Sequence, residues 1–295
     1  MNGKLNVNEN KMINTAAADV ISSSGETKNS SHLWKRRLRK FFRDFYLVII
    51  LIFLYAPIFT MMVLSFNDSK SRTIWGGFTT KWYAQMFENQ SIMDALYNTL
   101  LIAFISALAA TILGTLAALG INSMKRVPKN ITMGINNIPI LNSEIVTGIS
   151  LMLTFIAFGI SLGFKTILIA HITFNLPFVI LSVLPKLRQT SRYTYEAALD
   201  LGANPLQAFF KVVFPDIMPG VLSGFLMGFT LSLDDFIITH FTRGAGINTL
   251  STLIYSEVRR GIRPSMYALS SIIFLTVLIL LIFVNFRSIK KPEKA

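Results

Sequence analysis

Three carboxylates stand where a carboxylate is expensive. Glu144 lies inside an apolar run at about 131–158, and Asp234 and Asp235 lie inside another at about 217–238. A charged group in hydrocarbon is costly unless it is paired or wet, so acids placed there are candidates for a cation path. At about 1.5 Å per residue, Glu144 falls roughly 20 Å, and the aspartates roughly 25 Å, from the end of their runs that charge assigns to the cytosol. His171 and Asn175, in a run at about 162–184, fall roughly 14 and 20 Å below the outer surface. The three acids and His171 can therefore share the outer half of a bundle. Neighbouring helical residues point about 100° apart, so Asp234 and Asp235 differ in what they face. One can face a pathway while the other caps a loop or pairs with Arg243. The plainer alternative makes both of them solvated residues that end the helix. His171 reads first as hydrogen-bonded packing. The other histidines are His32 and His240, and no His-Glu-x-x-His occurs, so metal chemistry has little support.

A second pattern does mechanical rather than chemical work. Glu196 to Pro215 reads EAALDLGANPLQAFFKVVFP and lies between two apolar runs. Ala198, Leu199, Leu206, Phe209, Phe210 and Val213 give an apolar stripe, with Arg192, Glu196, Asp200 and Lys211 on a polar side. One reading is an amphipathic helix resting on a membrane. The punctuation favours another. Gly202 and Asn204-Pro205 divide the stretch into two helices joined at an angle. Such an elbow projects where a groove on a partner can receive it. The chain lacks a phosphate-binding loop of its own. Its one Gly-Lys pair is Gly3-Lys4, without the glycine that such a loop places ahead of it.

The elements that position these residues follow from composition. The chain has 295 residues, of which 52% are hydrophobic, and a mean hydropathy of +0.54. That is too apolar for a soluble domain of this length. Six apolar runs, near 45–66, 97–121, 131–158, 162–184, 217–238 and 267–286, each approach the roughly 20 residues that cross a bilayer as a helix. The net charge of +13 gathers at the ends of these runs, which favours membrane anchoring over nucleic-acid binding. Lys35 to Arg43, Lys125 to Lys129, Lys186 to Lys211 and Arg287 to Lys294 hold about twice as many cations as the alternate connections. Both termini and the Glu196 segment are therefore expected in the cytosol. Residues 1–44 read as a cytosolic tail, disordered then basic, and 287–295 as a second basic tail. In the outer loop at 67–96, Trp75, Trp82 and Tyr83 suit the headgroup level. In the loop at 240–266, Leu250, Leu253, Ile254 and Val258 share one face of a short helix. There is no cysteine, so thiol chemistry is excluded. No internal repeat is visible, which counts against a transporter built from duplicated halves.

Several segments together carry a family likeness. GGFTTKWY (76–83), HITFNLPFVI (171–180), YEAALDLGA (195–203), FTLSLDDFIITHFTRG (229–244) and IYSEVRRGIRP (254–264) resemble the PotC-type permeases of spermidine/putrescine ABC importers. These are binding-protein-dependent inner membrane components of the type 1, MetI-like fold. The likeness runs from about Tyr46 to Phe286. It identifies Glu196 to Pro215 as similar to the EAA loop through which a permease grips its ATPase. Val212 and Phe214 stand where that pattern has Ile and Leu. The resemblance implies an all-α polytopic fold with six transmembrane helices over 45–286 and a coupling loop at about 186–216. It assigns Glu196, Ala197, Ala198, Gly202 and Pro215 to ATPase coupling. It also implies a sister permease, two copies of an ABC ATPase that hold ATP and Mg, and an extracytoplasmic polyamine-binding protein. On this likeness the chain is not itself an enzyme, carries no cofactor, and lies multi-pass in a bacterial inner membrane.

A polyamine is a flexible polycation, and separated carboxylates with aromatic faces suit its path. Glu144, Asp234, Asp235 and Glu257 are the acids expected there. Glu257, followed by Arg259 and Arg260, equally suits a salt bridge or a docking contact with the binding protein. Three other functions stay open on the sequence. The same architecture could carry another organic cation or a metal complex. A potential-driven secondary transporter or channel would also attract cations, and ATP dependence separates it. A membrane enzyme lacks a nucleophile–base or metal-ligand pattern.

Overall fold

The computed structural model describes residues 44–71 and 73–289. The tails expected at 1–44 and 287–295 fall largely outside them. Among the described residues the regular structure is helical, with one isolated antiparallel bridge between Asn67 and Phe78. In chain order the helices are α1 (Asp44–Leu64), α2 (Lys81–Glu88), α3 (Gln90–Ser123), α4 (Arg126–Leu141), α5 (Glu144–Ala157), α6 (Phe164–Gln189), α7 (Arg192–Asp200) and α8 (Pro205–Ala208). A π-helical turn (Phe209–Val213) joins α8 to α9 (Phe214–Asp234), and α10 (Ile237–Thr242), α11 (Leu250–Arg260) and α12 (Pro264–Ile289) follow.

Two compact units are present. Of the described residues, one holds 44–66 and 270–289; the other is Asn67–Leu269. Among the described residues, Asp44–Leu64, Gln90–Ser123, Phe164–Gln189 and Pro205–Asp234 are each long and apolar enough to cross a membrane. The third expected run is not one straight helix. It breaks between α4 and α5, which meet at 105°. Pro139 weakens the last turn of α4, and Asn142 and Ser143 are then extended. The sixth run is α12, whose apolar part is Pro264–Thr276.

The core of the larger unit is built where α3, α6 and α9 meet. Small residues make this approach possible. α3 buries Ala95, Ala103, Ala107, Ala110, Gly114 and Ala118, and α9 buries Gly220, Gly224 and Gly228. Between apolar helices in lipid the gain comes from close van der Waals packing, so small side chains belong at the seam. A Cβ on Gly114 would stand 2.6 Å from Cγ1 of Val179, and one on Gly220 would stand 2.9 Å from the Ser182 carbonyl oxygen. Ala110, Ala118, Val179, Ile180, Val183 and Ile217 close the apolar centre.

Asn67 organises the segment before α2. Its Nδ2 donates to the carbonyls of Ser71 and Ile74, and its Oδ1 accepts from the N–H groups of Ser69 and Gly76. The Trp82 indole N–H donates to the Asn67 carbonyl at 2.6 Å. Trp82 is therefore buried within the protein. Its indole nitrogen has a protein partner. Trp75 stays more than half exposed.

Candidate functional site

The bundle core carries a polar seam. On α3, Ser106 Oγ lies 3.0 Å from Ser232 Oγ on α9, and Asn175 Nδ2 on α6 donates to the same Ser232 oxygen at 2.7 Å. One helical turn away on α6, His171 Nε2 lies 2.9 Å from Thr239 Oγ1 and 3.4 Å from Asp235 Oδ2. The Thr239 hydroxyl donates to that Asp235 oxygen at 2.9 Å. In an apolar surrounding such groups satisfy one another, so the seam ties α3, α6, α9 and α10 at fixed register.

Asp235 is committed to this seam. α9 ends at Asp234, and Asp235 is extended, with φ −63° and ψ 121°. Its carboxylate accepts the Ile238 N–H at 3.2 Å and the Thr239 N–H at 2.8 Å. That is the work of a helix N-cap, and it starts α10. The side chain is 5% exposed, and the ring it meets is that of His171, 3.4 Å away, while Arg243 is not its partner. Arg243 Nη1 instead donates to Asn248 Oδ1. Asp234 points away from the seam. It is exposed, and among the described residues no hydrogen bond or ion pair engages its carboxylate. The two aspartates are thus one anchored and one free. α9 ends at Asp234 rather than at 238, and the bonds from Asp235 start α10.

Glu144 is not inside a continuous helix, so its depth cannot be read from residue rise along a straight run. It is the first residue of α5, at the 105° bend, and is exposed. α5 is held by α10, where Gly148 lets the Phe241 ring approach. The fixed end of α10 is Asp235. The seam therefore supports both helix breaks that carry acids, while Glu144 itself is not brought onto the seam.

α11 lies across the end of α9. Its Thr249/Thr252 pair caps its first turn. The Leu250 N–H donates to Thr99 Oγ1 on α3 at 2.8 Å, and the Ser251 hydroxyl reaches the Leu233 carbonyl at 3.5 Å. The expected short helix exists, but its buried side includes Leu250, Thr252 and Glu257, while Val258 is exposed. Glu257 is 4% exposed. Its ion-pair partner is Arg263 at 2.9 Å, not the adjacent Arg259 or Arg260. Its other oxygen, Oε2, is buried without a hydrogen-bond partner. It borders a cavity of about 320 Å³ that Arg243, Arg260 and Arg263 also line. The Phe236 and Tyr255 rings pack at a tilt of 35°, with centroids 4.4 Å apart.

At the other end of the chain's polar pattern, the elbow forms. α7 stops at Asp200, and Gly202 takes φ +88°, a left-handed conformation that suits glycine. Asn204 caps α8, its Oδ1 accepting the Gln207 N–H at 2.8 Å. Leu201 at the corner is 90% exposed, Tyr193 82%, Leu206 71% and Phe210 60%. Glu196 and Ala197 are exposed, and Ala198 is half-buried. Pro215 occupies the first turn of α9, directly after the π-helical turn. The π-helical turn between the elbow and α9 leaves no mark in composition. Beside it, Asn122, Thr190, Tyr195, Phe209 and Val213 line a cavity of about 430 Å³.

Sequence reasoning did not find Thr239, Ser106 or Ser232. The Asp235-x-x-x-Thr239 spacing is a capping signal that was available. The meeting of Ser106 with Ser232 across 126 residues was not.

Among the described residues no group of three or more potential ligands could hold a metal ion. The model of the binding-protein-dependent transport system inner membrane component family matches residues 31–289. The chain is 38% identical over 228 residues to the putrescine transport system permease protein PotI of Escherichia coli, covering 75% of this chain and 81% of that one. It is 36% identical over 240 residues to the spermidine/putrescine transport system permease protein PotC of Escherichia coli, covering 81% and 91%. Among solved structures, a chain of a bacterial ABC transporter that imports alginate superposes with TM-score 0.67 at 20% identity, over 88% of this chain and all of that one. A chain of the MetNI methionine ABC transporter gives TM-score 0.53 at 18% identity over 68% and 98%.

Proposed function

The chain belongs to the family of binding-protein-dependent transport system inner membrane components, and from that premise we propose that it is the polyamine permease subunit of an ATP-driven importer. The substrate class rests on one observation. The relatives that match at 36–38% identity over three quarters or more of the chain are permeases for putrescine and for spermidine/putrescine. The working partners are two copies of an ABC ATPase, a sister permease and an extracytoplasmic polyamine-binding protein. Hydrolysis belongs to the ATPase, which binds ATP and Mg. This chain performs no chemistry and holds no cofactor.

The proposed mechanism follows from which residues are free and which are anchored. The Arg192–Val213 elbow, with Glu196, Ala197, Ala198, Gly202 and Pro215, docks on the ATPase. The bare side chains of Leu201 and Leu206 support this, because apolar groups so exposed suit a partner's groove. Asp234 offers an unpaired carboxylate to an ammonium group. Glu144, at the α4–α5 bend, is the second acidic position. Asp235 and Glu257 support the path, being engaged with Thr239 and His171 and with Arg263. The path opens to either side as the two ATPases close and separate, a two-state equilibrium biased by nucleotide. In this reading both termini and the elbow face the cytosol, and residues 45–286 form the membrane domain.

Uptake in cells tests the reading against a potential-driven carrier. Cells lacking other polyamine importers take up labelled putrescine or spermidine through the complete complex. Depleting ATP should stop uptake, while collapsing the membrane potential with ATP maintained should leave most of it. The opposite result assigns the chain to a potential-driven class.

A further inference from the structure

The segment that caps the end of α9 is cationic, which is unexpected beside a path for polycations. Arg243, Arg259 and Arg260 line a cavity of about 380 Å³ together with His240, Thr252, Tyr255 and Ser256. No carboxylate lines it. The nearest acid on α11, Glu257, faces the neighbouring cavity and is held by Arg263.

The cavity nevertheless has a cation's receptor. The Tyr255 ring is 40% exposed. It packs against Phe236 at a tilt of 35°, with the Phe236 centroid 4.4 Å away and 5.2 Å from the His240 ring. Phe236 follows the two aspartates directly. A partly exposed aromatic face is a place where an ammonium group would settle. In this structure a guanidinium settles there instead: Arg259 Cζ stands 5.5 Å from the Tyr255 ring centroid. The local field is positive enough that Arg243 and Arg259, after burial, hold the His240 pKa below its ordinary value.

Resting on the polyamine reading above, we propose that Arg259 is a specificity-determining residue, a tethered cation that occupies the aromatic face of Tyr255 and so rejects free cations at this end of the path. A contact of this kind is weak at an exposed site, so a competing ammonium presented at high local concentration displaces it. An unescorted polyamine meets both the occupied ring and the arginine field. Rejection by a built-in like charge is a recognised way to gain specificity without stronger binding of the correct partner.

The test uses the full complex in proteoliposomes, with the binding protein omitted and free spermidine as the probe. ATP hydrolysis stimulated by a fixed spermidine concentration is compared among the unmodified chain, Arg259→Lys, Arg259→Gln and Arg259→Glu. Arg259→Lys keeps the charge and should match the unmodified complex. Arg259→Gln should raise the response about two- to fivefold, the weight of an exposed cation–π contact expressed as an equilibrium ratio. Arg259→Glu should raise it further. Tyr255→Leu gives an independent arm, since it removes both the ring that anchors Arg259 and the face an ammonium would take, so adding Arg259→Gln to it should raise the response less than Arg259→Gln does alone. The order Glu above Gln above Lys is not what a purely structural role would produce. Equal responses across the series at matched incorporation overturn the proposal, and so does a rise with Arg259→Lys as large as with Arg259→Gln. Stimulation of the unmodified complex by spermidine-loaded binding protein is the control. Its failure strikes the polyamine reading, whereas equal variants with the control intact strike only the role of Arg259.

Discussion

Neutralising Asp234 and neutralising Asp235 should have opposite signatures, although the residues are adjacent and identical. Asp235 accepts two backbone N–H groups and the Thr239 hydroxyl, at 3.2, 2.8 and 2.9 Å. Losing a helix cap costs about 0.5–2 kcal/mol. Leaving a buried donor without an acceptor costs about 1–3 kcal/mol more. Asp235→Ala should therefore destabilise the fold by about 2–4 kcal/mol. Asp235→Asn keeps one acceptor but turns an amide N–H₂ toward donors, for about 1–2 kcal/mol. Asp234 is exposed and has no such partners, so Asp234→Asn should change stability by no more than about 0.5 kcal/mol. Its effect belongs to transport. Removing one charge-assisted contact to an ammonium should cut the initial uptake rate about tenfold. The assay pairs the thermal unfolding midpoint of the purified complex with the initial spermidine uptake rate at matched membrane abundance. A stable, fully active Asp235→Asn beside a destabilised Asp234→Asn would refute the division into anchor and free acid.

Three further outcomes follow from the same geometry. Gly202 sits at φ +88°, which proline cannot adopt. Gly202→Pro, like Glu196→Lys, should lower ATP hydrolysis stimulated by the loaded binding protein while the chain stays in the membrane; normal stimulation would remove the elbow from coupling. Single cysteines at Ser71 and Ser191, in a chain without native cysteine, should react with an impermeant thiol reagent on intact cells at Ser71 only, and the reverse pattern would invert the proposed orientation. His240 has its pKa lowered from 6.5 by burial, then by Arg243 and Arg259. It therefore stays neutral to lower pH than a free histidine, and any stability it contributes is present above the free value and falls as pH drops below it. Arg259→Gln should move its titration upward in a histidine-resolved NMR experiment; no movement would remove Arg259 from its surroundings.

The elements were largely legible because lipid imposes strict rules. A spanning helix must be long and apolar, so composition located the runs that became α1, α3, α6 and α9. The elbow was legible for a different reason, since a glycine followed by Asn-Pro admits few backbone conformations. Two features were not legible. The bend at Asn142–Ser143 lies inside an apolar run, where hydropathy cannot distinguish a straight helix from a broken one. Pro139 was the local signal, and prolines are also tolerated within α6, at Pro177 and Pro185. The anchoring of Asp235 depends on His171, 64 positions earlier in the chain, and on a Thr239 hydroxyl whose role appears only once α9 stops. Depth alone grouped Glu144 with the aspartates, whereas the structure distinguishes an acid at a bend, a free acid and a cap. Glu257 shows the same limit. Its neighbours Arg259 and Arg260 suggested its partner, yet a helix turns adjacent side chains apart, and Arg263 beyond the helix end reaches it instead.

Transport by the reconstituted complex tests the central claim most directly. Proteoliposomes hold this chain with its sister permease and ATPase, ATP trapped on the ATPase side, and the binding protein loaded with labelled putrescine or spermidine on the other. The account predicts that label accumulates inside against its gradient, that unlabelled polyamine competes, and that replacing ATP with a non-hydrolysable analogue abolishes accumulation. Label that enters equally without hydrolysis, or a complex that ignores both polyamines while its ATPase answers another loaded binding protein, would contradict it.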